Sequence, residues 1–183
     1  MFAPAKINLF LHVGARRPDG YHDLLSLVAF ASAGDELAAS PGEELSLAIE
    51  GPVAEALKAD ESNLVMRAAR ALQADLREKG MAPPGARLAL TKNLPLASGI
   101  GGGSSDAAAT LKSLNAMWKG GLSDTELTRI GLALGADVPV CLSARTSMMA
   151  GIGERVSPGP RLPPTPVVLV NPRVEVPTGP VFK

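Results

Sequence analysis

The run Pro95 to Leu111, PLASGIGGGSSDAAATL, constrains the fold of this chain more than any other, because it sets Gly99, Gly101, Gly102 and Gly103 between two strongly structured segments. Upstream, ARLAL ends at Leu90 with the apolar alternation of a strand; downstream, Ala107, Ala108, Leu111, Leu114 and Trp118 recur at helical spacing. A strand, a glycine-dense turn and a helix N-terminus gather backbone N–H groups and the positive end of a helix dipole around one point. Phosphates bind such points. Glycine is required there because a side chain would block close backbone approach and because successive residues must reach positive φ.

Spacing separates this loop from two better-known phosphate binders. A P-loop needs Lys followed by Ser or Thr after its last glycine, whereas Gly103 is followed by Ser104, Ser105 and Asp106. A dinucleotide fingerprint starting at Gly99 and Gly101 would need Gly or Ala where Ser104 stands, so an oxidoreductase reading fails. A flexible linker of small residues would not sit between an apolar strand and an amphipathic helix.

The N-terminal APAKINLFLHV alternates as a strand, with Ile7, Leu9, Leu11 and Val13 expected on one face and Lys6, Asn8, Phe10 and His12 on the other. Lys6 and Asn8 could then touch one ligand, or could decorate a solvated edge strand. Pro18, Asp19 and Gly20 signal a turn before a second strand, Leu24 to Phe30. Tyr21, the chain's one tyrosine, and His22 sit at its exit. A ring and an imidazole suit the face and edge of a nucleobase; a hairpin plug and a surface histidine suit the same positions.

Leu64, Val65, Ala68, Ala69, Leu72 and Leu76 form a helical stripe, with Ser62 or Asn63 as N-cap and Gly80 as stop. Ser123 to Glu126 reads as a capping box opening a helix that ends at Gly135. Asp137 follows, ahead of VPVCL, which reads as an apolar strand. A carboxylate at that junction is expected to be partly buried and to want a cation, or to serve as a turn residue.

Taken together, PLASGIGGGSSDAA, PAKINLFL, DGYHDL, GADVPV and the terminal VPTGPVFK resemble the GHMP kinases. They are most similar to the branch that phosphorylates a cytidine-diphosphate-linked methylerythritol in non-mevalonate isoprenoid synthesis. The resemblance implies an α+β fold, the GHMP N-terminal domain (ribosomal protein S5 domain 2-like), with a mostly antiparallel sheet covered by helices. It implies ATP as phosphoryl donor, with Mg²⁺, and a cradle of Pro95, Leu96, Ala97, Ser98, Gly99, Ile100, Gly101, Gly102, Gly103, Ser104 and Ser105. Asn63 and Lys92, with Asn93 beside it, become candidates for the nucleotide. Asp137 is implied as the base facing the substrate hydroxyl, with Lys6 beside it. Asn8, Tyr21, His22, Thr178 and Phe182 are implied on the substrate side, Tyr21 and Phe182 sandwiching cytosine. A sister kinase for a mevalonate-like alcohol and a non-catalytic nucleotide-binding fragment remain the alternatives.

Composition sets the outer bounds. Formal net charge is zero with basic residues scattered, unlike a nucleic-acid surface, and the single Cys141 allows no internal disulfide. No apolar run approaches a membrane span, and the two histidines lack a metal-ligand spacing. A cytoplasmic small-molecule enzyme is expected, with no resident metal site. After a strand near Thr146 to Ala150 and the turn GIGERV comes the proline-rich SPGPRLPPTP, then VVLVNP, which reads as a buried strand. Residues 1–157 are thus expected to form the ATP-binding domain, and 158–183 a connector and the first strand of a second domain. The family's third glycine-rich motif does not occur in the 183 residues.

Overall fold

A computed structural model of the chain describes residues 1–18 and 20–171. Six strands form one sheet: β1 (Phe2–Arg16), β2 (His22–Gly42), β3 (Leu45–Glu50), β4 (Gly85–Thr91), β5 (Ser147–Gly151) and β6 (Arg155–Pro158). The path across it is β3-β4-β2-β5-β6, with β1 paired to β2. Only β3 and β4 run parallel, so the mostly antiparallel sheet expected from the sequence is present. β2 is the spine. Its first half lies between β1 and β5, and its last residues pair with β4.

Helices α1 (Leu64–Glu78), α2 (Gly102–Met117), α3 (Asp124–Leu134) and α4 (Val138–Ser143) complete the described chain. α2 packs on β1, β2 and α1, and its near-continuous apolar surface suits a helix buried on most sides. The core between helices and sheet is built on Leu37, Leu72, Leu76, Leu88, Leu90, Leu111 and Leu114, all essentially inaccessible. Each such side chain contributes about 1.5–3 kcal/mol through burial. Asn63 caps α1 by accepting from Val65 N–H, and Ser123 and Glu126 form the expected capping box of α3. Side-chain ion pairs Arg129–Asp75 and Lys79–Glu126 tie α3 to α1.

Three expectations are corrected. The alternation read along β1 breaks at Leu9: Asn8 pairs with Val28 but Phe10 with Leu27, so one extra residue is inserted. That bulge turns the later side chains over. Lys6 and Asn8 therefore share a face with Leu11 and Val13, while Phe10 and His12 lie on the opposite side in edge contact with each other. Leu9, Leu11 and Val13 are exposed rather than core. Next, VPVCL forms helix α4, with Pro139 in its first turn, where its missing N–H costs no hydrogen bond. Finally, residues 167–170 are unpaired and open to solvent, Val168 being 87% and Val170 86% exposed, because no described strand lies beside them. Thr178 and Phe182 lie outside the described residues. No helix among the described residues is long and apolar enough to cross a membrane.

Candidate functional site

The glycine segment leaves β4 at Thr91 and enters α2 at Gly102. Gly101, the N-cap, is left-handed at φ 66 and ψ 19, and no side chain among the described residues caps the helix. The first-turn N–H groups are thus left facing outward. A Cβ on Gly101 would sit 3.1 Å from Lys6 Cβ, and one on Gly102 would sit 3.1 Å from Lys92 Nζ. Glycine is needed at both because two lysines crowd the backbone from either side. Ala97 adds local strain with φ 48, and Ser98 braces the turn by donating to the Pro95 carbonyl at 2.7 Å.

Pro95 to Ser104 line a cavity of about 680 Å³, with Leu57, Lys58, Ser62, Asn63, Leu64, Val65, Leu90, Lys92 and Asp106 completing the wall. One side is apolar and the other is a bed of backbone N–H groups, the combination a nucleotide requires. The stretch around Leu57 and Lys58 carries no motif or periodicity that would mark it as this wall. Asn63 lines the cavity, yet both ends of its amide are committed: Oδ1 accepts from Val65 N–H and Nδ2 donates to the Lys58 carbonyl.

Ser105 is the one expected cradle residue turned away from the cavity. Its hydroxyl donates to the Pro4 carbonyl at 2.7 Å and its N–H to Gly101, since it lies one helical turn in and against β1. It also sits 3.4 Å from Cys141 Sγ. Burial pushes the Cys141 thiol up to about 12, which leaves it a neutral packing group rather than a nucleophile.

Beneath the loop lies a buried ionic set that the sequence did not reveal. Lys92 Nζ reaches Asp35 Oδ2 at 2.5 Å and Asp106 Oδ2 at 2.7 Å. Asp35 Oδ1 accepts from the N–H groups of Asn93 and Leu94 at 2.7 and 2.8 Å. Lys92 is therefore a strut between the entrance and exit of the loop, with its charge already shared by two carboxylates. Asn93 turns to the Gly34 carbonyl.

Two carboxylates on one lysine leave an excess negative charge out of water, and Asp106 carries the strain. Its Oδ1 has no partner among the described residues, and burial raises the Asp106 carboxyl to about 7 despite the Lys92 charge. An acid whose folded value lies above its unfolded 3.8 favours folding when protonated, so this contribution fades as pH rises from about 4 to 7. Asp106→Asn should therefore gain stability relative to the wild type as pH rises, at up to about 1.4 kcal/mol per unit of displacement. Urea unfolding at pH 5 and pH 8 measures it; an Asn variant that tracks the wild type at both would sink the assignment.

Lys6, on β1, is 4% exposed, and its Nζ lies 3.1 Å from Asp137 Oδ2 at the N-cap of α4. The cationic partner expected for Asp137 is in place, and the carboxylate, 37% exposed, remains open to solvent. Lys6 Nζ also donates to Asn8 Oδ1 at 3.0 Å, while Lys6 N–H donates to the Ile100 carbonyl at 2.8 Å. The ion pair is thereby fastened to the loop from the backbone.

Tyr21 and His22 stand at the far end of the β1–β2 hairpin. Tyr21 is exposed at 58%, and His22 Nδ1 lies 3.1 Å from the Gly14 carbonyl. Alternation along β2 puts His22 on the face it shares with Ser26 and Phe30, and Phe30 is the partner of Lys6. Lys6, Asn8 and His22 thus line one face, and a ligand touching both ends must be elongated.

Residues 63–145 match the model of the GHMP kinases N terminal domain. The chain is 52% identical over 181 residues to 4-diphosphocytidyl-2-C-methyl-D-erythritol kinase of Rhodospirillum rubrum, covering 99% of this chain and 58% of that protein. It is 56% identical over 184 residues to the protein of the same name from Cereibacter sphaeroides, covering 100% and 62%. This chain spans about 60% of the length of the curated relatives it matches. A crystal structure of 4-(cytidine 5'-diphospho)-2C-methyl-D-erythritol kinase superposes with TM-score 0.70 at 39% identity, over 86% of this chain and 54% of that one. Streptococcus pneumoniae phosphomevalonate kinase shares the fold at TM-score 0.61 and 13% identity, over 82% and 47%.

Proposed function

Because the chain belongs to the GHMP kinases, we propose that it forms the ATP half of a kinase that phosphorylates the 2-hydroxyl of 4-diphosphocytidyl-2-C-methyl-D-erythritol in the cytoplasm. The observation that carries this reading is the Lys6–Asp137 pair held at the uncapped N-terminus of α2 by the bond from Lys6 N–H to Ile100. The adenosine fits the apolar wall around Leu57, Leu64 and Leu90, with the triphosphate on the N–H groups of Gly102, Gly103 and Ser104.

Asp137 accepts the proton of the substrate hydroxyl as its oxygen forms the bond to the γ-phosphorus. The bond from that phosphorus to the β–γ bridging oxygen breaks, and ADP departs with the electron pair. Lys6 neutralises charge on the moving phosphoryl group and holds Asp137 in line. Asn8 and His22 mark the path of the substrate along the sheet face, and Tyr21 offers an exposed ring for cytosine. Thr178 and Phe182 are proposed for the same cytidine on the family's pattern alone.

Mg²⁺ fits as a passenger of the nucleotide. No group of three acidic, His or Cys side chains among the described residues could cage it, and Asp35, Asp106 and Asp137 all face lysines. The Ser104 hydroxyl, at the cavity wall, would join the phosphate oxygens around the ion, whose charge would offset that of the triphosphate.

Incubation with ATP, Mg²⁺ and the cytidyl substrate should yield one ADP and one new phosphomonoester per turnover, seen by phosphorus NMR. Phosphorylation of mevalonate but not of the cytidyl alcohol would overturn the substrate assignment. Gly101→Ala should weaken ATP binding about tenfold, since a left-handed alanine costs on the order of 1–2 kcal/mol and its Cβ displaces Lys6. Titration calorimetry measures this, and an unchanged affinity would remove the loop from the nucleotide site.

A further inference from the structure

Behind the Lys6–Asp137 pair runs a chain of hydrogen bonds whose direction is forced by the groups in it. Lys6 Nζ has protons and no acceptor, so the Asn8 atom 3.0 Å away must be its amide oxygen. The amide nitrogen then faces Ser26 Oγ at 2.7 Å and donates to it. Ser26, having accepted, sends its own proton to the Phe10 carbonyl at 2.6 Å. That carbonyl follows the bulge at Leu9, where the ladder between β1 and β2 is interrupted. Each link runs from a donor to an acceptor, and the chain ends on a backbone oxygen that cannot reverse.

We propose that Ser26 is a positioning residue for phosphoryl transfer, fixing the Asn8 amide so that Lys6 presents its ammonium to Asp137 and the phosphoryl group. Ser26 is fully buried near the start of β2, paired with Leu11 of β1 on one side and Met149 of β5 on the other, so it touches neither substrate itself. Its effect passes through Asn8. Without the hydroxyl, the Asn8 amide has no reason to keep its oxygen toward Lys6, and a flipped amide would set N–H groups against an ammonium. Two of the three Lys6 protons are committed, to Asn8 and Asp137, among the described residues. Holding those two fixes where the third points, which is the direction the phosphoryl group must take.

The inference rests on the kinase reading for its catalytic consequence but not for its geometry, so the test has two arms. Ser26→Thr and Ser26→Val add the same volume at a strand position that accepts β-branched residues, and differ only in the hydroxyl. In the kinase assay the Val variant should lose about tenfold in kcat with the ATP KM nearly unchanged, the size expected for one hydrogen bond serving a charged group. The Thr variant should restore kcat to within about threefold of the wild type. In the second arm, nitrogen-15 lysine labelling follows the Lys6 ammonium resonance, assigned through Lys6→Arg. That resonance should shift and exchange faster in the Val variant and hold its place in the Thr variant. Equal behaviour of Thr and Val in the NMR arm overturns the inference, with or without turnover. Wild-type turnover with equal kcat for the two variants overturns it while leaving the kinase reading intact; absence of wild-type turnover overturns the kinase reading and leaves Ser26 to be decided by the resonance.

Discussion

Asp137→Asn should lower kcat for the proposed phosphoryl transfer by roughly 10²- to 10⁴-fold, the range spanned by a lost general base. The substitution is nearly isosteric, and its amide oxygen can still accept from Lys6 in place of the Oδ2 that now lies at 3.1 Å. What disappears is the capacity to take a proton from the acceptor hydroxyl. ATP affinity should stay within about twofold, because the proposed nucleotide site lies at the α2 N-terminus rather than on α4. Stopped-time product assays with parallel nucleotide titration separate the two quantities. A kcat within threefold of the wild type would mean that Asp137 orients Lys6 and nothing more.

Asp35→Ala should be the most damaging change to the fold itself, costing about 2–5 kcal/mol, because it strips the acceptor from two backbone donors beneath the loop. Asp35 is fully buried, and the N–H groups of Asn93 and Leu94 lose their acceptor at once, while Lys92 Nζ is left with Asp106 alone. Against a total stability of about 5–15 kcal/mol, that is a large fraction. Asp35→Asn should cost less, since an amide oxygen can still serve the two backbone donors and Asp106 keeps the Lys92 charge paired. Equilibrium unfolding in urea ranks the three proteins. A loss below about 1 kcal/mol for the alanine variant would show that Asp106 alone suffices for Lys92.

The contrast between Asp137 and Asp35 shows what a linear reading can reach. Asp137 stands in GADVPV, within a few residues of a helix stop, and its need for a cation followed from that position. Asp35 stands in ASAGDEL, which has no motif, and its partners lie 57 to 59 residues away. Only the pairing of β2 with β4 brings them together. The glycine loop, the α1 stripe and the Ser123 capping box were legible because each is a local pattern. The bulge at Leu9 was not, since one inserted residue leaves the alternation of the sequence intact while reversing the face. VPVCL reads as a strand in sequence yet folds as α4, because a short apolar run carries no usable period. The same ambiguity makes Val167 to Val170 read as a buried strand, where the structure shows exposed, unpaired chain.

The bonds from Lys6 N–H to Ile100 and from Ser105 to the Pro4 carbonyl have a consequence for how the protein is made. The Ser105 bond spans 101 residues, so the loop cannot take its shape until the first strand has waited for most of the domain to be synthesised and has then docked. Affinity at the proposed nucleotide site would therefore be a late acquisition, gained only once the first strand has closed on the loop. A ligand that requires that closure also protects it, raising the free energy of unfolding by RT ln(1 + [L]/Kd). Cellular ATP would then act on newly made chains as the last element of their fold.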